Sequence, residues 1–271
     1  MSGIARKLMG VKKVSGANLT DPQSFDLSSI SATPSQTASG TVTGNSHTYG
    51  FDPSGAYFFW GEYNANIRRS LASTPFDITT LSSDQSIPRA SGVNQFAVEL
   101  SRDGTKIFSS GYNAGNHVFS ATLSTPWDLT SVGSWTGSGA VLRGANVNYI
   151  RFSFDGTKLY TAGFSTSTGI RQYSLSTSWD VSTASYDTGI ATADNTESLF
   201  ISGDGTDLVF YNNSFGSFQV IHMATPWDLS TASTPTSVLS VAYGRGAYID
   251  PSAEIFVTYN RNNTTLYEHT I

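Results

Sequence analysis

The sequence predicts an all-β fold, a five-bladed β-propeller, and three observations lead to that prediction. A tight turn with glycine returns about every 50 residues, and an aromatic–aspartate pair returns with the same period. Short apolar runs with the two-residue alternation of β-strands flank each turn. Units of about 40 to 50 residues with four short strands each are typical of propeller blades.

The first strands of a unit are clearest in the third repeat. Ile150, Phe152 and Phe154 alternate with other residues, which predicts a strand that ends at the turn. Leu159-Tyr160 follows the turn as a second strand, and residues 170–175 form a third apolar run. No stretch of ten residues carries a convincing helical apolar stripe. The unit is therefore predicted to be β throughout.

The turn between the first two strands is Asp-Gly-Thr or a close variant. Glycine tolerates the positive φ that tight hairpin turns require, so this turn predicts a hairpin. Successive turn glycines are 49, 52 and 49 residues apart, and Ala253 takes the position 48 residues after the last one. These glycines are Gly55, Gly104, Gly156 and Gly205.

The corner after the third strand is an aromatic residue followed by aspartate. Large aromatic side chains dominate buried area, so we expect a repeated wedge near the outer edge of each blade, in the core and not on a ligand. The aspartates here and in the turns are expected to accept backbone N–H bonds two residues on. The five corners are Phe25-Asp26, Phe76-Asp77, Trp127-Asp128, Trp179-Asp180 and Trp227-Asp228.

The two ends of the sequence predict ring closure. Leu266–Ile271 matches only the third strand of a unit, and the corner at residues 20–27 belongs to a unit without its first three strands. The N-terminal segment is therefore expected to supply the fourth strand of the C-terminal blade, which leaves no exposed sheet edge. A linear solenoid or a sandwich is the competing fold, and a solenoid would gain nothing from this arrangement of the ends. We expect one ring over residues 20–271.

A basic arm precedes the ring. Residues 1–19 contain no acidic residue and lack the continuous apolar run of a signal peptide. A disordered tail is the simple interpretation of such a terminus. We expect instead that the arm docks the ring onto a neighbouring protein. The basic side chains of this predicted assembly contact are Arg6, Lys7, Lys12 and Lys13.

Composition excludes several classes of function. A net charge of −5 and a pI near 5.2 argue against nucleic-acid binding through phosphate neutralisation. The chain has no cysteine, so disulfides, thiolate chemistry and zinc–thiolate sites are excluded. No apolar run approaches the roughly 18 residues of a membrane span. The acidic residues lack the spacing of a calcium loop, and the four histidines occupy different strand positions, so we expect neither a metal nor a cofactor.

One aligned column on the innermost strands is expected to face the central channel. It contains Glu99 and Arg151 in neighbouring blades, which could pair across the channel wall. A glycosidase needs two converging carboxylates, and the nearest second acid is Glu197 in another blade. A structural ion pair is therefore favoured over catalysis. The column consists of Gly50, Glu99, Arg151, Phe200 and Tyr248.

A second column, at the end of the second strand, combines an aromatic residue with an amide. Aromatic–amide pairs on one face of the ring could bind sugars by stacking and hydrogen bonding. They could equally be strand ends followed by turn residues, and that interpretation is favoured. The predicted ligand-binding residues are Tyr63-Asn64, Tyr112-Asn113, Tyr211-Asn212 and Tyr259-Asn260, with Phe164-Ser165 in the third repeat.

The repeat resembles propeller repeats of tailed bacteriophages, especially marine ones, and of some bacterial surface proteins. The resemblance covers residues 20–271. It is specific in three stretches: Ser101–Phe108 with Leu123–Thr130, Phe152–Tyr160 with Tyr173–Val181, and Thr225–Thr231. It implies a virion or surface component and carries no catalytic residues. We therefore expect a non-enzymatic structural protein of a phage particle, in a tail, fibre or head accessory, whose arm contacts other virion proteins. A carbohydrate-binding module of the lectin type, or an adhesin for a host glycan or receptor, is the alternative, and a glycosidase is the weakest reading.

Overall fold

The structure is a computed structural model, and its description covers most of the chain after residue 29. The predicted arm at residues 1–19 and the predicted corner at residues 20–27 lie outside this part. No helix within the part described has the length and apolarity to cross a membrane. The described residues are 30–40, 42, 46–63, 65–90, 94–112, 117–137, 142, 147–163, 169–192, 196–241, 244–249, 255–260 and 264–271.

Five four-stranded antiparallel sheets form the blades of a ring, which confirms the predicted propeller. The blades, from first to fifth, are β2–β5, β6–β9, β10–β13, β14–β17, and β18–β20 with β1. Their strands are β1 (Gln36–Ser39), β2 (Ser46–Phe51), β3 (Tyr57–Glu62), β4 (Asn66–Ala72), β5 (Leu81–Pro88), β6 (Asn94–Leu100), β7 (Lys106–Tyr112), β8 (Phe119–Thr122), β9 (Thr136–Gly137), β10 (Tyr149–Phe152), β11 (Lys158–Ala162), β12 (Ile170–Leu175), β13 (Ala184–Ile190), β14 (Phe200–Ile201), β15 (Asp207–Asn212), β16 (Ser217–His222), β17 (Thr236–Ser240), β18 (Gly244–Ile249), β19 (Ile255–Asn260) and β20 (Thr265–Thr270).

The core lies between neighbouring blades. Successive strand residues point to opposite faces of a sheet, so each blade packs one set of apolar side chains on each neighbour. Between the second and third blades, the rings of Phe108 and Phe152 approach to 4.5 Å between centroids, and Leu159 is fully buried beside them. This repeated face-to-face burial explains why apolar residues occupy the same columns in all five repeats.

The aspartates of the turns and corners have the predicted local roles. The Asp155 carboxylate accepts hydrogen bonds from the backbone N–H of Thr157, at 3.0 Å, and from the Ser153 hydroxyl, at 2.7 Å. These bonds lower the pKa of Asp155 against the opposing effect of its partial burial. Each corner aspartate caps a three-residue 3-10 helix in the same way. These helices are Ile78–Thr80, Leu129–Ser131, Val181–Thr183 and Leu229–Thr231.

The corner aromatics lie elsewhere than predicted. Trp179 has a φ of 61°, which turns its ring inward over Gly156 in the turn of the same blade. Trp127 and Trp227 do the same over Gly104 and Gly205, and all three tryptophans line the mouth of the central channel. The expectation of a wedge near the outer edge is therefore wrong, because the positive φ reverses the direction of the side chain.

The corners also join each blade to the one before it. The backbone carbonyl of Trp127 accepts a hydrogen bond from Arg69 Nη1 of the first blade, at 2.7 Å. The carbonyl of Trp179 accepts one from Lys106 Nζ of the second blade, at 3.1 Å. The carbonyl of Trp227 accepts one from the Tyr160 hydroxyl of the third blade, at 2.8 Å. At three successive joints of the ring, the backbone carbonyl of the corner tryptophan therefore accepts a hydrogen bond from the preceding blade.

Replacing Gly156 by alanine tests this corner. Alanine at the observed φ of +69° is strained, and its Cβ would overlap the Trp179 ring. Left-handed backbone costs about 1–2 kcal/mol for a residue with a Cβ, and overpacking adds about 1–3 kcal/mol. Denaturant unfolding should show a loss of about 2–5 kcal/mol for Gly156→Ala. Gly40→Ala is the matched control, since Gly40 has a φ of +74° but open space around its Cβ position, and should lose about 1–2 kcal/mol. Equal losses would show that the Trp179 contact contributes nothing.

The ring closes as predicted, with β1 paired antiparallel to β20 in the fifth blade. The backbone N–H of Ser35 donates to the carbonyl of Glu268 at 2.7 Å. His269 is buried at this seam, where its Nδ1 lies 2.9 Å from the Ser31 carbonyl and its Nε2 lies 3.2 Å from Thr258 Oγ1. Burial lowers the pKa of His269, so the neutral ring that donates from Nδ1 is favoured.

Candidate functional site

The innermost strands bring the predicted channel column together. Glu99 pairs with Phe108 across its blade, Arg151 with Tyr160 and Phe200 with Val209, so the column keeps one register from blade to blade. The column lines a cavity of about 200 Å³ at the mouth of the channel. Turn residues such as Ser153 and Gly203 line it too, which places the cavity on the face of the ring that carries the glycine turns.

Glu99 and Arg151 form an ion pair in the wall of this cavity, as the sequence predicted. Arg151 Nη1 donates to Glu99 Oε2, and Arg151 Nε donates to the Leu199 carbonyl of the fourth blade at 2.7 Å. The side chains are only 16% and 12% exposed for Glu99 and Arg151. Burial raises the pKa of the Glu99 carboxyl and outweighs the opposing Arg151 guanidinium. The pair therefore links three consecutive blades.

Aromatic rings form the next part of the wall. The Arg151 guanidinium carbon lies 5.6 Å from the centre of the Phe200 ring, which in turn makes an edge contact with Tyr248 at 6.3 Å between centroids. The Tyr248 ring leans over Gly50, where a Cβ would lie 3.3 Å from Tyr248 Cδ2. The glycine at this place in the column is therefore what allows Tyr248 to lie along the channel wall.

A cation–aromatic pair stands at the rim of the cavity. Arg102 lies in the turn of the second blade, and its guanidinium carbon is 3.4 Å from the centre of the Phe154 ring in the turn of the third blade. Phe154 is 41% exposed. The first strand was predicted to run through Phe154, but β10 ends at Phe152. Phe154 therefore belongs to the turn and lines the cavity instead of continuing the buried strand pattern.

A second carboxylate does not reach the cavity within the described residues. Glu197 is buried, and its backbone N–H donates to the Tyr211 carbonyl, away from the cavity lining. The converging acids of a glycosidase are therefore not assembled here. In the same described part, no three histidine, aspartate or glutamate side chains are grouped so that they could hold a metal ion.

The predicted aromatic–amide column lies at the opposite face of the ring, where the second strands end. The Tyr211 ring is buried, and its hydroxyl donates to the Val241 carbonyl at 3.1 Å. Asn212 Oδ1 accepts the backbone N–H of Ser214 at 3.1 Å, which is turn chemistry. Tyr259 is also buried, whereas Tyr63 and Asn260 are half-buried.

Four residues of that column and one further side chain lie outside the described part of the chain. They are Asn64, Asn113, Phe164, Ser165 and the side chain of Tyr112. Ligand binding by the column stays a prediction, and so does the assembly contact of the basic arm. The buried rings of Tyr211 and Tyr259 favour a packing role for those two positions.

Sequence reasoning missed Arg102 and Phe154 as site residues. A signal for them was present in the aligned turns. The residue two positions before the turn glycine differs in type from blade to blade more than its neighbours do. It is Pro53 in the first blade, Arg102 in the second, Phe154 in the third and Gly203 in the fourth. A position without a common scaffold role is where a site can be built into a repeat protein.

Comparison with known proteins identifies no family. No protein-family model matches the chain, and no curated protein matches it. Among solved structures, a candidate 6-phosphogluconolactonase from Bacteroides uniformis is similar with a TM-score of 0.49 and 16% identity over 74% of this chain. A candidate 6-phosphogluconolactonase from Bacteroides fragilis gives a TM-score of 0.48 and 15% identity over 75%. The matches span 60% of the length of each of these two proteins.

These comparisons correct two expectations about function. The non-enzymatic phage structural protein and the statement that the chain is not an enzyme are both wrong on this finding, because both similar structures bear the name of an enzyme and neither is named as a virion protein. The repeat resemblance described the scaffold, which many unrelated functions share.

Proposed function

We propose that the channel mouth is the active site of a hydrolase that opens a small lactone or ester. The observation that carries this proposal is the Glu99–Arg151 pair, a carboxylate and a guanidinium held together in the wall of a cavity. One group can take and return a proton, and the other can stabilise negative charge on oxygen. The proposal rests on this cavity alone.

The proposed step uses one water molecule. Glu99 accepts a proton from the water, whose oxygen attacks the acyl carbon and pushes the carbonyl electrons onto the carbonyl oxygen. The Arg151 guanidinium stabilises this oxyanion. When the tetrahedral intermediate collapses, the acyl–oxygen bond breaks and the leaving oxygen takes the proton from Glu99. The product is a hydroxy acid from a lactone, or an acid and an alcohol from an ester.

The surroundings of Glu99 suit this role. Burial raises the pKa of its carboxyl, which makes the ionised form a stronger base than an exposed glutamate. Its bond to Arg151 uses Oε2, and within the part of the chain that is described Oε1 accepts no hydrogen bond. A cavity of about 200 Å³ is smaller than the roughly 300–1,000 Å³ of common ligand pockets, so the substrate is small.

Hydrolysis assays with Glu99→Gln test the proposal. We expect the wild-type protein to open lactones such as dihydrocoumarin, or to cleave phenyl acetate, faster than buffer does. Glu99→Gln removes the base and keeps the shape of the side chain, so kcat/KM should fall by about 10²- to 10⁴-fold. The readout is product formation followed by pH-stat or absorbance.

Glu62→Gln is the matched control for this assay. Glu62 is also buried in a pair with an arginine, since its Oε1 lies 2.8 Å from Arg68 Nε, but it does not line the cavity. We expect this variant to retain wild-type hydrolysis. Wild-type rates in Glu99→Gln, or no hydrolysis of either substrate class by the wild-type protein, would contradict the proposal.

The location and partners of the protein are separate from the catalytic proposal. A virion location, and docking of residues 1–19 on another virion protein, stay predictions from the sequence. A host glycan or receptor as a further partner is likewise a prediction from the sequence. Detection of the protein in purified particles by mass spectrometry is the measurement that would decide them.

A further inference from the structure

The wall of the cavity opposite Glu99 and Arg151 is built from aromatic rings. In a ring of five blades, the fifth blade lies across from the joint between the second and third blades, and it supplies Tyr248 to the lining. The Tyr248 ring makes edge contacts with Phe51 of the first blade, at 5.6 Å between centroids, and with Phe200 of the fourth, at 6.3 Å. The three rings form one continuous apolar surface, which we call the aromatic wall.

The serine hydroxyls of the lining are already used within the protein. Ser153 Oγ donates to Asp155 Oδ1 at 2.7 Å and accepts the backbone N–H of Lys158 at 2.8 Å. Ser202 of the fourth blade makes the equivalent pair of bonds, at 2.7 and 2.9 Å. Each hydroxyl hydrogen is therefore committed to a carboxylate of its own turn instead of a ligand.

The charged side chains of the lining are engaged as well. Glu99 and Arg151 form their ion pair, and Arg151 Nε donates to the Leu199 carbonyl. The Arg102 guanidinium carbon lies 3.4 Å from the centre of the Phe154 ring, and Arg102 has further interactions within the chain. A ligand with many hydroxyl groups would lose its hydrogen bonds to water and find few replacements here, which is unfavourable.

A flat aromatic ring is complementary to the aromatic wall. Aromatic rings attract each other in edge-to-face and offset-stacked arrangements by more than their buried area accounts for. The volume also suits one ring, because an apolar cavity of about 150 Å³ can hold benzene. This cavity has about 200 Å³, so a six-membered aromatic ring with one acyl group attached fits within it.

We propose that the substrate of this site is a small aryl ester or aryl-fused lactone, whose aromatic ring binds the aromatic wall while its acyl group faces Glu99 and Arg151. This inference rests on the proposed function for the reacting bond, whereas recognition of the aromatic ring stands without catalysis. Tyr248 and Phe200 are then the residues that determine specificity for an aromatic ring over a saturated or polyhydroxylated ring of the same size.

Titration with three six-membered rings tests ring recognition without catalysis. Benzamide is aromatic, cyclohexanecarboxamide is its saturated counterpart with the same amide group, and myo-inositol is polyhydroxylated. Calorimetry gives the Kd of each ligand for the full chain. We expect benzamide to bind about 10-fold more tightly than cyclohexanecarboxamide, because only benzamide makes aromatic contacts with the wall. We expect no saturable binding of myo-inositol.

Two leucine variants make the test specific to the aromatic wall. Tyr248→Leu and Phe200→Leu each remove one ring and keep an apolar side chain, so each should reduce the preference for benzamide to about 3-fold or less. Tyr186→Leu is the matched control, because Tyr186 is a half-buried tyrosine of β13 that does not line the cavity. It should keep the wild-type preference. Circular dichroism verifies the fold of each variant, and either wall variant alone suffices for the test.

Hydrolysis of two six-membered lactones extends the test to the proposed reaction. Dihydrocoumarin carries a fused aromatic ring, whereas D-glucono-1,5-lactone carries hydroxyl groups. After subtraction of each rate in buffer, we expect kcat/KM to be at least about 10-fold higher for dihydrocoumarin. Tyr248→Leu should reduce this difference mainly through KM, because the ring binds the substrate and does not contact the reacting bond.

Three binding results would overturn the inference. They are equal binding of benzamide and cyclohexanecarboxamide, a preference that survives in every folded wall variant, and the absence of saturable benzamide binding. Opening of D-glucono-1,5-lactone in preference to dihydrocoumarin, lost in Glu99→Gln, would also overturn it and leave the hydrolase standing. Selective benzamide binding in a protein that opens neither lactone leaves ring recognition standing and refutes the hydrolase.

Discussion

A chain that lacks residues 1–39 is expected to lose about 5 kcal/mol or more of stability, comparable to the whole stability of many domains. The truncation removes β1, the outer strand of the fifth blade. β20 would then expose an unpaired edge along its full length, and His269 would lose the Ser31 carbonyl that its ring contacts. Because every blade packs on two others, an open fifth blade also weakens its neighbours.

Urea unfolding followed by circular dichroism measures this effect. The matched control is a chain that lacks residues 1–19, which removes the basic arm and keeps β1. We expect this control to unfold cooperatively, close to the full-length midpoint, whereas the longer truncation shows an early or non-cooperative transition. Similar midpoints for both truncations would mean that β1 does not hold the ring closed.

Arg151→Met is expected to lower the free energy of unfolding by about 3–5 kcal/mol, because it leaves the Glu99 carboxylate buried without its partner. The Leu199 carbonyl loses its donor in the same variant. The loss depends on pH in a defined direction. Burial raises the pKa of Glu99 in the folded state, so the folded state binds more protons than the unfolded state near that pKa. The variant therefore regains stability as the pH falls.

A double-mutant cycle with Glu99→Gln isolates the pair. We expect Glu99→Gln with Arg151→Met to be more stable than Arg151→Met alone, because replacing both members of a buried pair is often close to neutral. Arg68→Met serves as control, since Arg68 is 31% exposed in its pair with Glu62 and water can solvate the remaining charge. Additive losses for Glu99 and Arg151 would show that the two side chains do not stabilise each other.

The sequence was sufficient for the ring and for the channel column. Strands alternate with a period of two, so a turn glycine at a fixed place in each unit sets which residues face the channel. That logic placed Glu99 beside Arg151, which are 52 residues apart, without any knowledge of the third dimension. It also placed the closing strand, because an unpaired edge at β20 would be unfavourable.

The sequence was not sufficient for the rim or for the function. The inward turn of Trp179 depends on a backbone φ that no hydrophobic pattern encodes. Arg102 and Phe154 lie in turns of different blades, so their stacking depends on how far each turn projects over the channel. The repeat motifs themselves make turns, caps and joints, and residues with those roles carry no information about a substrate.

The tryptophan corners give the ring a property that neither the cavity nor the joints have alone. Trp127, Trp179 and Trp227 present their rings to the cavity and their backbone carbonyls to the preceding blade. A molecule bound against those rings therefore contacts three of the joints between blades at once. Ligand binding at these tryptophans and closure of the propeller ring are therefore thermodynamically linked, so a bound ligand stabilises the closed ring of blades.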